Sequence, residues 1–390
     1  MKQRKWVAPM IVLVLSTLLL NACNFSVEVL STPTVSAPTE TSQSSTQTPV
    51  PPTDIAPSAT PTLIPITAGT IHGLESFMSF GDKGEVLRSV AFTPDNTVLA
   101  SAVGNSLTGP IEDFAIRLWD VASGESIGTL EGHSGIVWAV TFSPDGQMLA
   151  SVSSDATAKI WDWRNGTLIK SLDFPNQVVS VSFSPDGQIL AVGGVDEAQN
   201  QLRNAAVWTY SVGSWEPLIK FPEFWNIGAL AYSPDGTRLV GGGTSRNVQV
   251  WNTSDGASIF TLNHAHQVSD AVISPDGSTL ATATCETTVN TECTEGGVWL
   301  WDLPTGRLIR KLADFPDIVE SVAFSTDGSV LIAASRSGAL FIYTTADYQD
   351  VFEARPTGGT GVLALSPDGD LLATGSADGQ VYLWKIIYHP

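Results

Sequence analysis

Cysteine is scarce, with three residues among 390. Two of them, Cys285 and Cys293, share one polar stretch, CETTVNTEC. That stretch offers too few further ligands for a metal centre. Its acidic neighbours Glu286 and Glu292 disfavour a thiolate, which argues against a reactive thiol. Basic residues are scarce too, 19 against 39 acidic ones. An acidic surface repels phosphate backbones, so nucleic acid is not an expected partner, and the excess reads as a solvated face. Helical periodicity is missing: beyond residue 70 no stretch keeps a helical apolar spacing over a dozen positions. No glycine-rich nucleophile elbow, no phosphate-cradling glycine loop and no cluster of acids stands out, which argues against an enzyme and against any cofactor.

The one sizeable apolar run is Val7 to Leu20, interrupted by Pro9 and Ser16. At about 14 residues it is short for a membrane-spanning helix, which needs about 20. Lys2, Arg4 and Lys5 precede it, and Leu20-Asn21-Ala22-Cys23 follows. A basic start, a short apolar run and a small-residue cleavage site make a secretory signal. Leu-x-Ala-Cys resembles the lipobox of bacterial lipoproteins. The resemblance implies a signal peptide over 1–22, diacylglycerol on the Cys23 thiol and cleavage before Cys23. The protein is then anchored to the cell membrane by lipid, facing outside the cytoplasm, rather than spanning the bilayer. The alternative is an ordinary signal peptide with an incidental cysteine. Export allows an oxidising compartment, where a Cys285–Cys293 disulfide is expected.

Residues 23–66 follow as the lipidated cysteine and a Ser/Thr/Pro-rich tether, STPTVSAPTETSQSSTQTPVPPTDIAPSATPT at its centre. So polar a segment cannot offset its ordering entropy, and it is expected to be disordered and partly extended. In polyproline form its reach is roughly 120 Å, enough to hold a folded head clear of the bilayer.

From 67 to 390 the chain repeats itself. A turn recurs seven times: TPDN at 93–96, SPDG at 143–146, 184–187, 233–236 and 274–277, STDG at 325–328, and SPDG at 366–369. Proline presets the first corner, aspartate bonds nearby backbone and glycine supplies positive φ. A short apolar strand precedes each turn, as in VWAVTF, and a second follows, as in MLASVS. A third closes on an aromatic residue: RLWD, KIWD, AVWT, VQVWN, WLWD, LFIY and VYLW. A looser fourth follows most of these. Four short antiparallel strands per repeat mark a β-propeller.

The Trp-Asp strand ends and the Leu-Ala-Ser-x-Ser-x-Asp segments resemble the WD-repeat family over roughly 70–388. The resemblance implies an all-β, seven-bladed propeller, expected to be a monomeric head. Thr209, Asn252, Thr344 and Lys385 depart from the family by replacing the aspartate. The last repeat supplies only three strands, and LESFMSF at 74–80 is the natural fourth, joining the ends of the ring and protecting its edges.

The stretch 133–162 holds a histidine, a serine and an aspartate, the residue types of a hydrolase triad. The resemblance gives them another task. His133, Ser151, Asp155 and Trp161 match a hydrogen-bond network buried within one blade, where each polar group satisfies another. A nucleophile needs exposure beside an oxyanion hole, and Ser151 lies in a strand read as buried. Blade seven keeps Thr374, Asp378 and Trp384, and blade five keeps His264, Thr282 and Trp301 with Glu286 as the candidate acid. His264 and His266 make an H-x-H pair that could bind metal, but His264 falls at the structural position.

Repeats one, three and five are lengthened between their second and third strands, by GNSLTGPIED, VDEAQNQLRN and CETTVNTECTEGG. In this fold those loops share one face, and loops on a rigid scaffold carry function. The resemblance places contact positions on that face at Arg88, Trp138, Val179, Gly228, Ser269, Glu320 and Gly361. Trp138 is the expected exposed anchor, with Phe224 and Trp225 in a strand-entry loop of the same face and an outward Arg336; the alternative is that these aromatics pack against adjacent blades. The expected function is a non-catalytic scaffold that binds a protein or peptide there. The alternative is a propeller enzyme or small-ligand sensor working at the central channel.

Overall fold

A computed structural model describes residues 71–81, 85–106, 114–199, 202–222, 227–243, 246–289, 292–348, 350–354, 360–376 and 379–388. Cys23, the signal segment and the tether lie outside the described residues, as do Phe224, Trp225 and Asp378.

Seven four-stranded antiparallel sheets are present. Blades one to six run over 85–130, 137–173, 178–222, 227–263, 268–315 and 319–354. The seventh comprises 360–388 and is completed by Ile71–Phe80, which pairs antiparallel with Val381–Tyr388. The first strand of each blade touches that of the next, and the seventh returns to the first, so seven inner strands surround a central axis. The ring is closed by the N-terminal strand as the sequence predicts. Gln380 Nε2 donates to the Gly81 carbonyl at 2.6 Å, and Phe80 packs on Trp119 of blade one with ring centroids 5.0 Å apart.

The repeated turn explains why each hairpin closes where it does. In blade two the Ser143 hydroxyl donates to Asp145 at 2.6 Å and accepts from the Met148 amide at 2.9 Å. The Gly146 amide donates to the Ser143 carbonyl at 2.8 Å, with Gly146 at φ +65°, a conformation a side chain disfavours. Serine and aspartate thus satisfy amides that the tight turn leaves unpaired. These turns also join blades. A Cβ placed on Gly146 would meet Pro94 at 3.3 Å, and one on Gly328 would meet Pro275 at 3.5 Å. Where threonine replaces proline, the Thr326 hydroxyl bonds the Pro367 carbonyl at 2.8 Å instead.

Second strands are buried along their length, as in Leu149–Ser153 and Val330–Ser335. The core lies between blades. Val152, Ile160 and Leu172 of blade two pack with Val178, Phe183 and Leu190 of blade three. Two of the predicted long loops are instead extended β-hairpins. Ile189–Gln199 pairs with Leu202–Ser211, and Thr279–Val289 pairs with Glu292–Asp302. At the tip of the second hairpin Thr288, Glu292, Thr294 and Glu295 are exposed, so the strands run on beyond the core with polar residues in place of an apolar face. Of the first lengthened loop, 107–113 lies outside the described residues.

Where the strand-end aspartate is kept, Asp120 accepts from the Ser123 amide at 2.8 Å and Asp302 from the Thr305 amide at 2.9 Å. Asn252 does the same for Ser254 at 2.8 Å. Thr209 bonds across to the outer strand at Ile219, both ways at 3.0 Å. Lys385 has no such turn to cap, because its strand continues to Tyr388 against the closing strand.

Candidate functional site

Blade two assembles its four polar residues into one chain. The Trp161 indole donates to the Ser151 hydroxyl at 2.8 Å. Ser151 Oγ lies 2.8 Å from His133 Nε2, and His133 Nδ1 lies 2.8 Å from Asp155 Oδ2. Because indole can only donate, serine is left to donate to Nε2, and Nδ1–H faces the carboxylate. Burial alone would raise the Asp155 carboxyl, but hydrogen bonds from His133, Thr157 and the Ser134 amide outweigh it and hold it well below the usual carboxylate range. Ser151 is wholly buried, and its hydroxyl is engaged on both sides. This geometry can hold a sheet together and offers no nucleophile to a substrate.

Other blades keep parts of the chain. Trp119 donates to Ser101 at 2.9 Å, and Trp384 to Thr374 at 2.9 Å. In blade five His264 Nε2 lies 2.9 Å from Thr282 Oγ1, and Trp301 donates to the same hydroxyl at 3.3 Å. Glu286, however, does not take the aspartate's place. It accepts from Trp299 Nε1 and from Thr284 Oγ1, while His264 Nδ1 is buried with no carboxylate against it among the described residues. The hairpin carries a register shift between Cys285 and Thr287, so positions counted along the strand no longer match blade two. Burial pushes the His264 imidazole down to about 4, and its ring packs against Trp299 and Trp301 at 4.7 and 5.2 Å.

The predicted contact positions do converge. Arg88, Trp138, Ser269, Glu320 and Gly361, with Arg336, line one cavity of about 460 Å³. They come from the inner strands of blades one, two, five, six and seven, so the cavity is the mouth of the central channel. Val179 and Gly228 are outside its lining. Trp138 differs from expectation: it is half-buried rather than exposed, and its indole N–H is buried without an acceptor. The cause is Arg88, whose Cζ sits 5.2 Å from the Trp138 ring centroid and whose stem crosses the Gly104 backbone, where a Cβ would clash at 2.2 Å. Arg336 does point outward, 61% exposed, and its Nε donates to Glu320 at 2.6 Å.

A second recess, of about 270 Å³, adjoins the first through Arg336. Arg246, His266, Gln267, Thr288 and Glu292 line it, and the disulfide between Cys285 and Cys293 forms one wall. The sequence reading missed Arg246. Its signal was its place in the turn between second and third strands, the same kind of turn that carries Arg336. Among the described residues no group of three or more His, Cys, Asp or Glu could hold a metal ion.

The sequence pattern of the WD domain, G-beta repeat, matches residues 75–120, 124–162, 166–197, 215–252, 306–344 and 351–385, more than half of the chain. Six repeats are matched where the structure has seven blades. The unmatched one is blade five, whose middle strands are drawn out into the disulfide-bearing hairpin. Similar proteins include eukaryotic translation initiation factor 3 subunit I of Drosophila sechellia, 27% identical over 295 residues, which cover 71% of this chain and 89% of that protein. The same subunit of Drosophila virilis is 26% identical over 295 residues, 71% and 90% of the two chains. Periodic tryptophan protein 2 of Arabidopsis thaliana is 26% identical over 272 residues, 66% of this chain and 29% of that longer protein.

Proposed function

The chain belongs to the WD40 family of WD-domain, G-beta repeats, and from that premise we propose that it is a non-catalytic scaffold that docks a protein or peptide at the channel mouth. The observation that carries the reading is the convergence of Arg88, Trp138, Ser269, Glu320, Gly361 and Arg336 on one cavity. Trp and Arg are among the residue types enriched at binding hot spots. Two of the similar proteins are named as a subunit, which agrees with a role in assembly. The fixed hydrogen-bond chain of blade two gives the serine and histidine a structural task, which removes the most obvious catalytic candidate.

We further propose export, with the signal segment 1–22 removed, lipid on Cys23 and residues 23–66 as a tether to the head at 67–390. The support is the Leu20–Cys23 motif behind a short apolar run. Labelling cells with an alkyne fatty acid tests this: wild type should take up label, and Cys23→Ser should not. For docking, partner recovery by wild type is compared with Trp138→Ala. Equal recovery by both removes Trp138 from the site. Stoichiometric metal in the purified protein would favour the alternative, a propeller enzyme or small-ligand sensor.

A further inference from the structure

We propose that the docked partner is an acidic peptide segment, with an apolar residue beside its carboxylates, lying from the channel mouth across Arg336 into the recess beside the disulfide; this rests on the docking reading above. Three arginines, Arg88, Arg246 and Arg336, border two adjoining recesses in a chain whose acidic residues outnumber basic ones 39 to 19. Gathering scarce positive charge at one place is unfavourable unless something negative meets it.

The acid at the mouth is already engaged. Glu320 accepts from Arg336 at 2.6 Å, and its other oxygen lies over Gly361, 2.8 Å from where a Cβ would stand. Among the described residues no carboxylate pairs with Arg88: it faces the Trp138 ring, and its Nε is buried without a described acceptor. Trp138 Nε1 is in the same condition. Both unpaired donors are buried behind the wall of the mouth, so the positive charge of Arg88 lies there without a described counter-charge, beside the apolar surface of Val86, Leu87 and Val362. Among the described residues lining the second recess, Arg246, His266 and Gln267 are accompanied by one carboxylate, Glu292. Carboxylates supply acceptors that a guanidinium fork binds two at a time. Two recesses joined by one arginine suit an extended chain better than a single small anion.

The test uses the full chain and a fluorescein-labelled peptide of Glu, Leu and Gly, read by anisotropy at low salt, with its Gln-for-Glu counterpart beside it. The Glu peptide should bind at least about tenfold more tightly than the Gln peptide, an advantage that shrinks as salt screens the charges. Arg88→Gln and Arg246→Gln should each weaken the Glu peptide about three- to tenfold; Arg246→Gln should hold its melting temperature, and Arg88→Gln should lose only what its contact with Trp138 contributes. Equal binding of the two peptides, or full affinity in both variants, overturns the proposal. So does displacement by inorganic phosphate at a concentration that leaves chloride without effect, since the site would then be a simple anion pocket. Tighter binding of the Gln peptide, lost in Trp138→Ala, would overturn the acidic chemistry and leave docking at the mouth standing.

Discussion

Arg88 and Trp138 belong to neighbouring blades, and the guanidinium of one sits over the ring of the other, 5.2 Å from its centroid. The contact therefore does two things. It ties blade one to blade two at the channel mouth, and it fixes the aromatic wall that a partner would meet.

If that stacking is as described, its energy is separable by a double-mutant cycle. Arg88→Ala and Trp138→Ala, alone and combined, should show a coupling of about 0.5–2 kcal/mol in chemical unfolding, the range for cation–π contacts from exposed to desolvated. Additive effects would mean the two side chains do not interact.

Ser151 stands between a donor and an acceptor, Trp161 and His133. Ser151→Ala leaves the indole N–H buried and unpaired, which costs about 1–3 kcal/mol. The expected result is a lower denaturation midpoint with an unchanged slope. No loss of stability would remove the network from the account of blade two.

The imidazole of His264 is held neutral by burial, at about 4 against 6.5 for the free side chain. Between those values the unfolded chain binds a proton that the folded one refuses. Stability is thus fully present above pH 6.5 and is lost as pH falls toward 4, on the order of 3 kcal/mol in all. His264→Leu should flatten the dependence of unfolding free energy on pH across that window. An unaltered slope would contradict the burial argument.

Asp270 links blades five and six. Its carboxyl accepts from the Ser321 hydroxyl and the Val322 amide, both at 3.0 Å, and from the Ala271 amide at 2.8 Å. Burial raises its protonation equilibrium, against the pull of those same donors. Asp270→Ala strands three donors at an interface between sheets and should cost about 2 kcal/mol or more. Ser321→Ala, which strands none of the amides, should cost less. The reverse order would show that the hydroxyl, not the carboxylate, carries the junction.

The fold was legible because its devices are local and repeated. A Ser-Pro-Asp-Gly turn and a strand ending in Trp can be counted, and the spare strand at 74–80 had only one sheet to complete. The network of blade two was legible for the same reason, since its four residues sit at fixed offsets. Glu286 was misplaced because a register shift cannot be seen along the chain. Trp138 was expected to be exposed because the sequence does not show that Arg88, from another blade, lies over it. The second recess was invisible for a related reason: Arg246 and Arg336 belong to blades four and six, and only the stacking of blades around the axis brings both to the border of one recess.

The central claim is that the partner docks at the mouth lined by Arg88, Trp138 and Glu320 rather than on the opposite face, where the Ser-Pro-Asp-Gly turns lie. A photo-crosslinking amino acid placed at Ser269, on the mouth, is compared in cells with one at Gln147, exposed in a turn of the other face. The account predicts a defined crosslinked adduct from position 269, lost on adding Trp138→Ala, and none from position 147. An adduct from 147 alone, or one from 269 that survives Trp138→Ala unchanged, would contradict it.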